Sequence, residues 1–109
     1  MATMATLATD QKIETMKEKS IEEKLQTEIK KLGGTALKFV SPSHAGVFDR
    51  IVLMPGGKVW FVELKGPGKK LSPLQNVFAD QLKRLSQRYR VIDDQQKIEE
   101  FLNDLKNDL

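Results

Sequence analysis

The sequence predicts one domain of α/β or α+β type, with a central sheet flanked by helices. Three observations carry that expectation: apolar residues recur at helical spacing toward both ends, branched and aromatic runs fill the middle, and glycine-proline turns separate them. The 109 residues suit a single domain, which typically runs to roughly 100–200 residues. With no cysteine and one histidine, disulfides, thiolate zinc sites and cysteine nucleophiles are excluded, and any metal would be held mainly by oxygen. No apolar run approaches the ~20 residues that span a bilayer, and the first residues lack the basic start and apolar centre of a secretory signal. A cytoplasmic protein is the expectation.

Met1 to Thr9 is low in complexity and poor in large apolar groups, so it is expected to be a flexible tail ahead of a folded domain over 10–109. Ile13, Met16, Ile21, Leu25, Ile29 and Leu32 recur at near-helical spacing and predict one or two helices, closed by Gly33-Gly34. Ser20 before Glu22 and Glu23 can cap a second helix, which would put a break near Ser20. Ala36 to Val40 reads as a short strand and Ser41 to Gly46 as a loop. Val47 to Met54 and Lys58 to Lys65 form a hairpin around Pro55-Gly56-Gly57, where glycines tolerate positive φ. After the loop Gly66 to Lys70, Ser72-Pro73 opens a helix whose expected apolar stripe is Val77, Phe78, Leu82 and Leu85. Arg90 to Ile92 is the last strand. Ile98, Phe101, Leu102 and Leu105 face inward from a closing helix that follows Asp93-Asp94.

The net charge of +3 hides an asymmetry: residues 58–90 hold eight bases against two acids, and residues 91–109 hold six acids against two bases. Such a one-sided field suits phosphate backbones, and Lys69, Lys70 and His44 are the candidates for contacting them. Glu63 and Lys65, two apart on a strand, leave the same face. The face taken by Asp49 depends on hairpin register. A three-residue connection pairs Met54 with Lys58 and therefore Asp49 with Glu63, whereas a two-residue Gly56-Gly57 turn puts Arg50 opposite Glu63. In the first register the two carboxylates stand roughly 4.5–5.5 Å apart at Cβ, close enough to share a hard cation. Lys65 would then offset the negative charge that grows during phosphodiester hydrolysis. An isolated Glu-X-Lys also occurs on ordinary surface hairpins, so the surrounding motifs decide.

Those motifs are Gly46-Val47-Phe48-Asp49-Arg50, Pro55-Gly56-Gly57, Phe61-Val62-Glu63-Leu64-Lys65 and Ser72-Pro73-Leu74-Gln75. In this order and spacing the chain resembles the VRR-NUC group of the PD-(D/E)XK nuclease superfamily from about Ile21 to Leu105. The resemblance implies an α/β fold with a restriction-endonuclease-like αβββαβ core, a mixed central sheet and an extra C-terminal helix. It implies a Mg2+- or Mn2+-dependent DNA endonuclease acting on branched substrates, Holliday junctions or flaps. Asp49 and Glu63 would be metal ligands together with the backbone carbonyl of Leu64, and Lys65 would be the catalytic lysine. Glu22, in preference to its neighbour Glu23, would be the helix carboxylate at the metal, and Gln75 would orient water or phosphate. Phe48 stands where the superfamily usually has proline. A bacterial or phage-infected cell is the implied setting. A homodimer, with or without exchange of N-terminal segments, would double the basic surface and offer two sites to a symmetric junction. The alternative is a catalytically silent or partner-dependent nucleic-acid-binding module on the same fold.

Overall fold

The computed structural model describes residues 19–109. The expected tail over 1–9 and the turns carrying Ile13 and Met16 lie outside the described residues. Helix α1 occupies residues 19–31, so Ser20 already lies within a helix. There follow β1 (Thr35–Lys38), β2 (Arg50–Met54), β3 (Lys58–Leu64), α2 (Pro73–Arg84), β4 (Arg88–Ile92) and α3 (Gln95–Asn107). The sheet order is β1-β2-β3-β4. The first three strands are antiparallel, and β4 runs parallel to β3, a pairing that needs the crossover α2 provides. No described helix is long and apolar enough to cross a membrane.

Strand alternation divides the apolar residues between two layers. Val52, Met54, Val62, Leu64 and Ile92 face α1 and α3, where Leu25, Ile29, Ile98 and Phe101 complete the main core at 0% exposure. Each such side chain contributes about 1.5–3 kcal/mol on burial. Trp60 joins this layer, edge-on to Phe101 with ring centroids 5.2 Å apart. On the opposite face Phe61, Tyr89 and Val91 meet Phe78, Ala79 and Leu82 of α2 around the fully buried Phe48. The expected glycine stop is present: Gly33 has φ 87°, and Gly34 N–H donates to the Ile29 carbonyl at 3.0 Å, closing α1. Helix α2 ends through the same kind of turn, with Ser86 at φ 56° in the glycine position.

Several expected boundaries and one helix stripe shift, and β4 starts two residues early, at Arg88. Strand β1 stops at Lys38, and Val40 is left 83% exposed. Strand β2 begins at Arg50 instead of Val47, because Phe48 turns into the second core and the Asp49 N–H bonds to the Glu63 side chain and not to the ladder. The sheet-facing stripe of α2 is the half-buried Phe78 with the buried Ala79 and Leu82; Val77 is turned to solvent, and Leu85 lies past the last helical turn as its cap.

The loop before β2 rests on Gly46, which has φ 85° and sits so close to α2 that an added Cβ would lie 2.5 Å from the Leu74 carbonyl carbon and oxygen. Gly57, at φ 75°, faces open space. Gly57→Ala should therefore cost only the left-handed strain, about 1–2 kcal/mol. Gly46→Ala should cost more, since backbone must move as well, and urea unfolding of the two variants measures the difference.

Candidate active site

The geometry of the site begins at the turn Pro55-Gly56-Gly57. Both glycines have positive φ, 82° and 75°, and Met54 pairs with Lys58, so the connection has three residues. Continuing that register places Asp49 opposite Glu63, and the Asp49 N–H donates to Glu63 Oε1 at 3.0 Å. Glu63 is buried at 5% exposure. Its second oxygen, Oε2, accepts from Gln75 Nε2 at 2.9 Å and lies 3.5 Å from Lys65 Nζ.

Gln75 reaches Glu63 because its helix start holds it there. Ser72 Oγ accepts the Gln75 N–H at 3.2 Å, and Gln75 Oε1 accepts the Ser72 N–H at 2.9 Å, a reciprocal capping box. With its amide oxygen so engaged, the NH2 group is the end that faces the carboxylate. Gln75 also precedes Phe78, Ala79 and Leu82 by three, four and seven residues, so it lies on the sheet-facing stripe of α2.

Burial raises the Glu63 carboxyl above its ordinary value of 4.5, and the adjacent Asp49 charge raises it further; the Asp49 N–H and Lys65 act in the opposite sense. Asp49 Oδ1 is buried and has no hydrogen-bond partner among the described residues. A buried lone acceptor beside a carboxylate that resists ionisation is a place where a hard divalent cation relieves both penalties. Asp49 and Glu63 therefore fit a Mg2+ or Mn2+ ion. The described residues do not bring three acidic or imidazole side chains together for a metal. Glu22 Oε1 lies 2.8 Å from Arg50 Nη2, and Glu23 is exposed. Leu64, next to Glu63 on β3, sends its side chain into the main core.

Lys69, Lys70 and His44 are all exposed. His44 borders an open groove with Phe39, Phe61, Phe78 and Leu85. The residue that sequence reasoning passed over is Arg50, weighed only as the partner of Glu63 in the rejected register. It is 5% exposed. Its signal was available: Arg50, Val52 and Met54 share one strand face, and a charge in an otherwise apolar row requires a buried partner.

A carboxyl whose folded-state pKa exceeds its unfolded value makes the folded protein the stronger proton binder between those two values. The stability cost of Glu63 is thus absent below its ordinary value of 4.5 and fully present above the raised one. In metal-free protein, Glu63→Gln should raise the melting temperature at about pH 7.5, and the gain should shrink toward zero near about pH 4.

No model of a known protein family matches the chain. Over 60 residues it is 53% identical to "Putative nuclease p44" of Acyrthosiphon pisum secondary endosymbiont phage 1, a stretch that covers 55% of this chain and 64% of that protein. The match thus spans less than two thirds of the relative's length. A solved structure, a VRR_NUC domain, superimposes with a TM-score of 0.75 at 23% identity, covering 80% of this chain and 95% of the other. Mixed sheet, helix order and this superposition agree, and the chain carries the VRR-NUC fold, an α/β domain of restriction-endonuclease type.

Proposed function

We propose that the protein is a Mg2+- or Mn2+-dependent deoxyribonuclease that hydrolyses phosphodiester bonds in branched DNA, junctions or flaps, in the cytoplasm of a bacterial or phage-infected cell. The observation that carries this reading is the convergence of Asp49, Glu63, Lys65 and Gln75, with a buried Asp49 oxygen left unpaired among the described residues. The nuclease name of the phage relative and the shared fold support it.

Asp49 and Glu63, with the Leu64 carbonyl, would hold the ion, which when bound supplies Lewis-acid charge at the scissile phosphate. Gln75, held by Ser72, keeps one Glu63 oxygen oriented, and the Asp49 N–H keeps the other. Lys65, with its side chain 20% exposed, carries a fixed positive charge to the edge of the site, where it offsets negative charge developing on the phosphate. Lys69 and Lys70 extend from the loop after Lys65 and supply phosphate contacts, as does His44 from the loop before Asp49. The exposed apolar side chains Leu37, Leu53, Val77 and Leu85 offer surface to a second copy, so a homodimer belongs to the same reading. Exchange of N-terminal segments falls outside the described residues.

Purified protein incubated with labelled four-way, flap and linear DNAs should cut only with Mg2+ or Mn2+, and the branched substrates fastest. Asp49→Asn and Lys65→Ala should each lower the rate by about 100-fold or more. Binding that persists without cutting in either metal would make the protein a nucleic-acid-binding module instead. Lys69→Ala and Lys70→Ala should each reduce the slope of log affinity against log salt by about one. Sedimentation at assay concentration should give twice the 12.4 kDa chain mass.

A further inference from the structure

Arg50 shares its strand face with Val52 and Met54, so its guanidinium is carried from the start of the interior strand β2 toward α1, with the side chain only 6% exposed. A guanidinium so placed must be paired. Its fork is divided between two acidic residues. Nη2 lies 2.8 Å from Glu22 Oε1. Nη1 donates to the Asp49 backbone carbonyl at 3.1 Å and stands 3.5 Å from Asp49 Oδ2. Nε has no partner among the described residues.

The two carboxylates are held unequally. The contact to Glu22 has the length of a charge-assisted hydrogen bond, whereas the one to Asp49 Oδ2 is beyond that range. We propose that Glu22 serves the metal site through Arg50: it takes the larger share of the guanidinium charge and thereby leaves the Asp49 carboxylate open to a divalent cation. This makes Glu22 a positioning residue that acts on Asp49 by restraining a competing guanidinium, and it assigns the helix carboxylate to Arg50 and not to the ion. The inference rests on the reading of Asp49 and Glu63 as a cation site.

The physical argument is a competition. Among the described residues the other cation near Glu22 is Lys38, 4.0 Å away with its side chain 70% exposed, too far and too hydrated to replace Arg50. If Glu22 loses its charge, the carboxylate that the described residues leave within reach of the buried guanidinium is Asp49. Arg50 then falls on the same oxygens a metal ion needs. The loss should disappear when the guanidinium is removed as well.

The test is calorimetric titration of Mn2+ into the full chain without DNA, for the wild type, Glu22→Gln, Arg50→Gln and the double variant. Melting curves in chelator first establish that each is folded. Glu22→Gln should weaken Mn2+ binding by about five- to tenfold, a coupling within the range of residues in direct contact. Arg50→Gln should bind Mn2+ more tightly than the wild type, and the double variant at least as tightly as the wild type. A double variant as weak as Glu22→Gln, or weaker, would show that Glu22 contacts the ion directly and would overturn the inference. Nitrogen-15 NMR of the wild type gives a second readout that needs no Arg50 variant. At saturating Mg2+ the Arg50 Nη resonances should remain distinct and slowly rotating, and their collapse to free rotation would mean that Glu22 had left for the ion. A wild type that takes up neither ion overturns the cation site and the inference together. Mn2+ binding with the expected pattern but no DNA cleavage keeps the inference and ends the nuclease reading.

Discussion

The hydrogen bond from the Asp49 amide to the buried Glu63 carboxylate is the constraint on which the arrangement of this molecule turns. It exists because a three-residue turn pairs Met54 with Lys58. A slip of one residue would send Glu63 and Lys65 to the opposite face and bring Val62 and Leu64 out of the core. The register that buries the apolar row is therefore the register that assembles the acidic pair. Stability and site geometry are selected by one pairing, and neither can change without the other.

The buried charged residues Glu63 and Arg50 lie at the ends of paired strands, on either side of the hairpin. Both are costly in a domain of this size, where a few kcal/mol is a large part of the total stability. Their partners reduce the cost without removing it: Glu63 remains reluctant to ionise, and one Asp49 oxygen and the Arg50 Nε have no partner among the described residues. Unsatisfied polarity of this kind is expected where a fold retains binding capacity at the expense of its own cohesion. The second core has the complementary task. Phe48, edge-on to Phe78 at 5.2 Å and to Tyr89 at 6.1 Å, anchors the bend that delivers Asp49. An aromatic anchor does here what a proline would do by restricting φ.

Helix α2 joins these two regions. Its cap residue Ser72 fixes Gln75, its sheet-facing stripe packs on Phe48, and its first turn lies against Gly46. The catalytic candidates are thus held by a helix start, a hairpin and an aromatic cluster, elements that resist small displacements. In the basic loop that follows Lys65, Gly66 is buried and Pro67 to Lys70 are exposed.

By itself the sequence determined the order of elements, the two-faced sheet and the hairpin with its glycine turn, because these follow from periodicities of 2 and 3.6 and from local turn chemistry; strand alternation put Glu63 and Lys65 on one face, and the resemblance to VRR-NUC nucleases marked Asp49, Glu63, Lys65 and Gln75 as candidates. It left the register open between two turn lengths, placed the start of β2 too early and chose a stripe for α2 that included the exposed Val77 and Leu85. Only the tertiary structure decided these points, since they depend on groups far apart in the chain: a side-chain carboxylate replacing a ladder partner for Asp49, an aromatic cluster drawing Phe48 out of the strand, and a guanidinium on β2 meeting a carboxylate on α1. The pairing of Arg50 with Glu22 is the clearest case. The apolar row announced that a buried arginine needs a partner, but which acid would supply it was fixed by how α1 packs across the sheet.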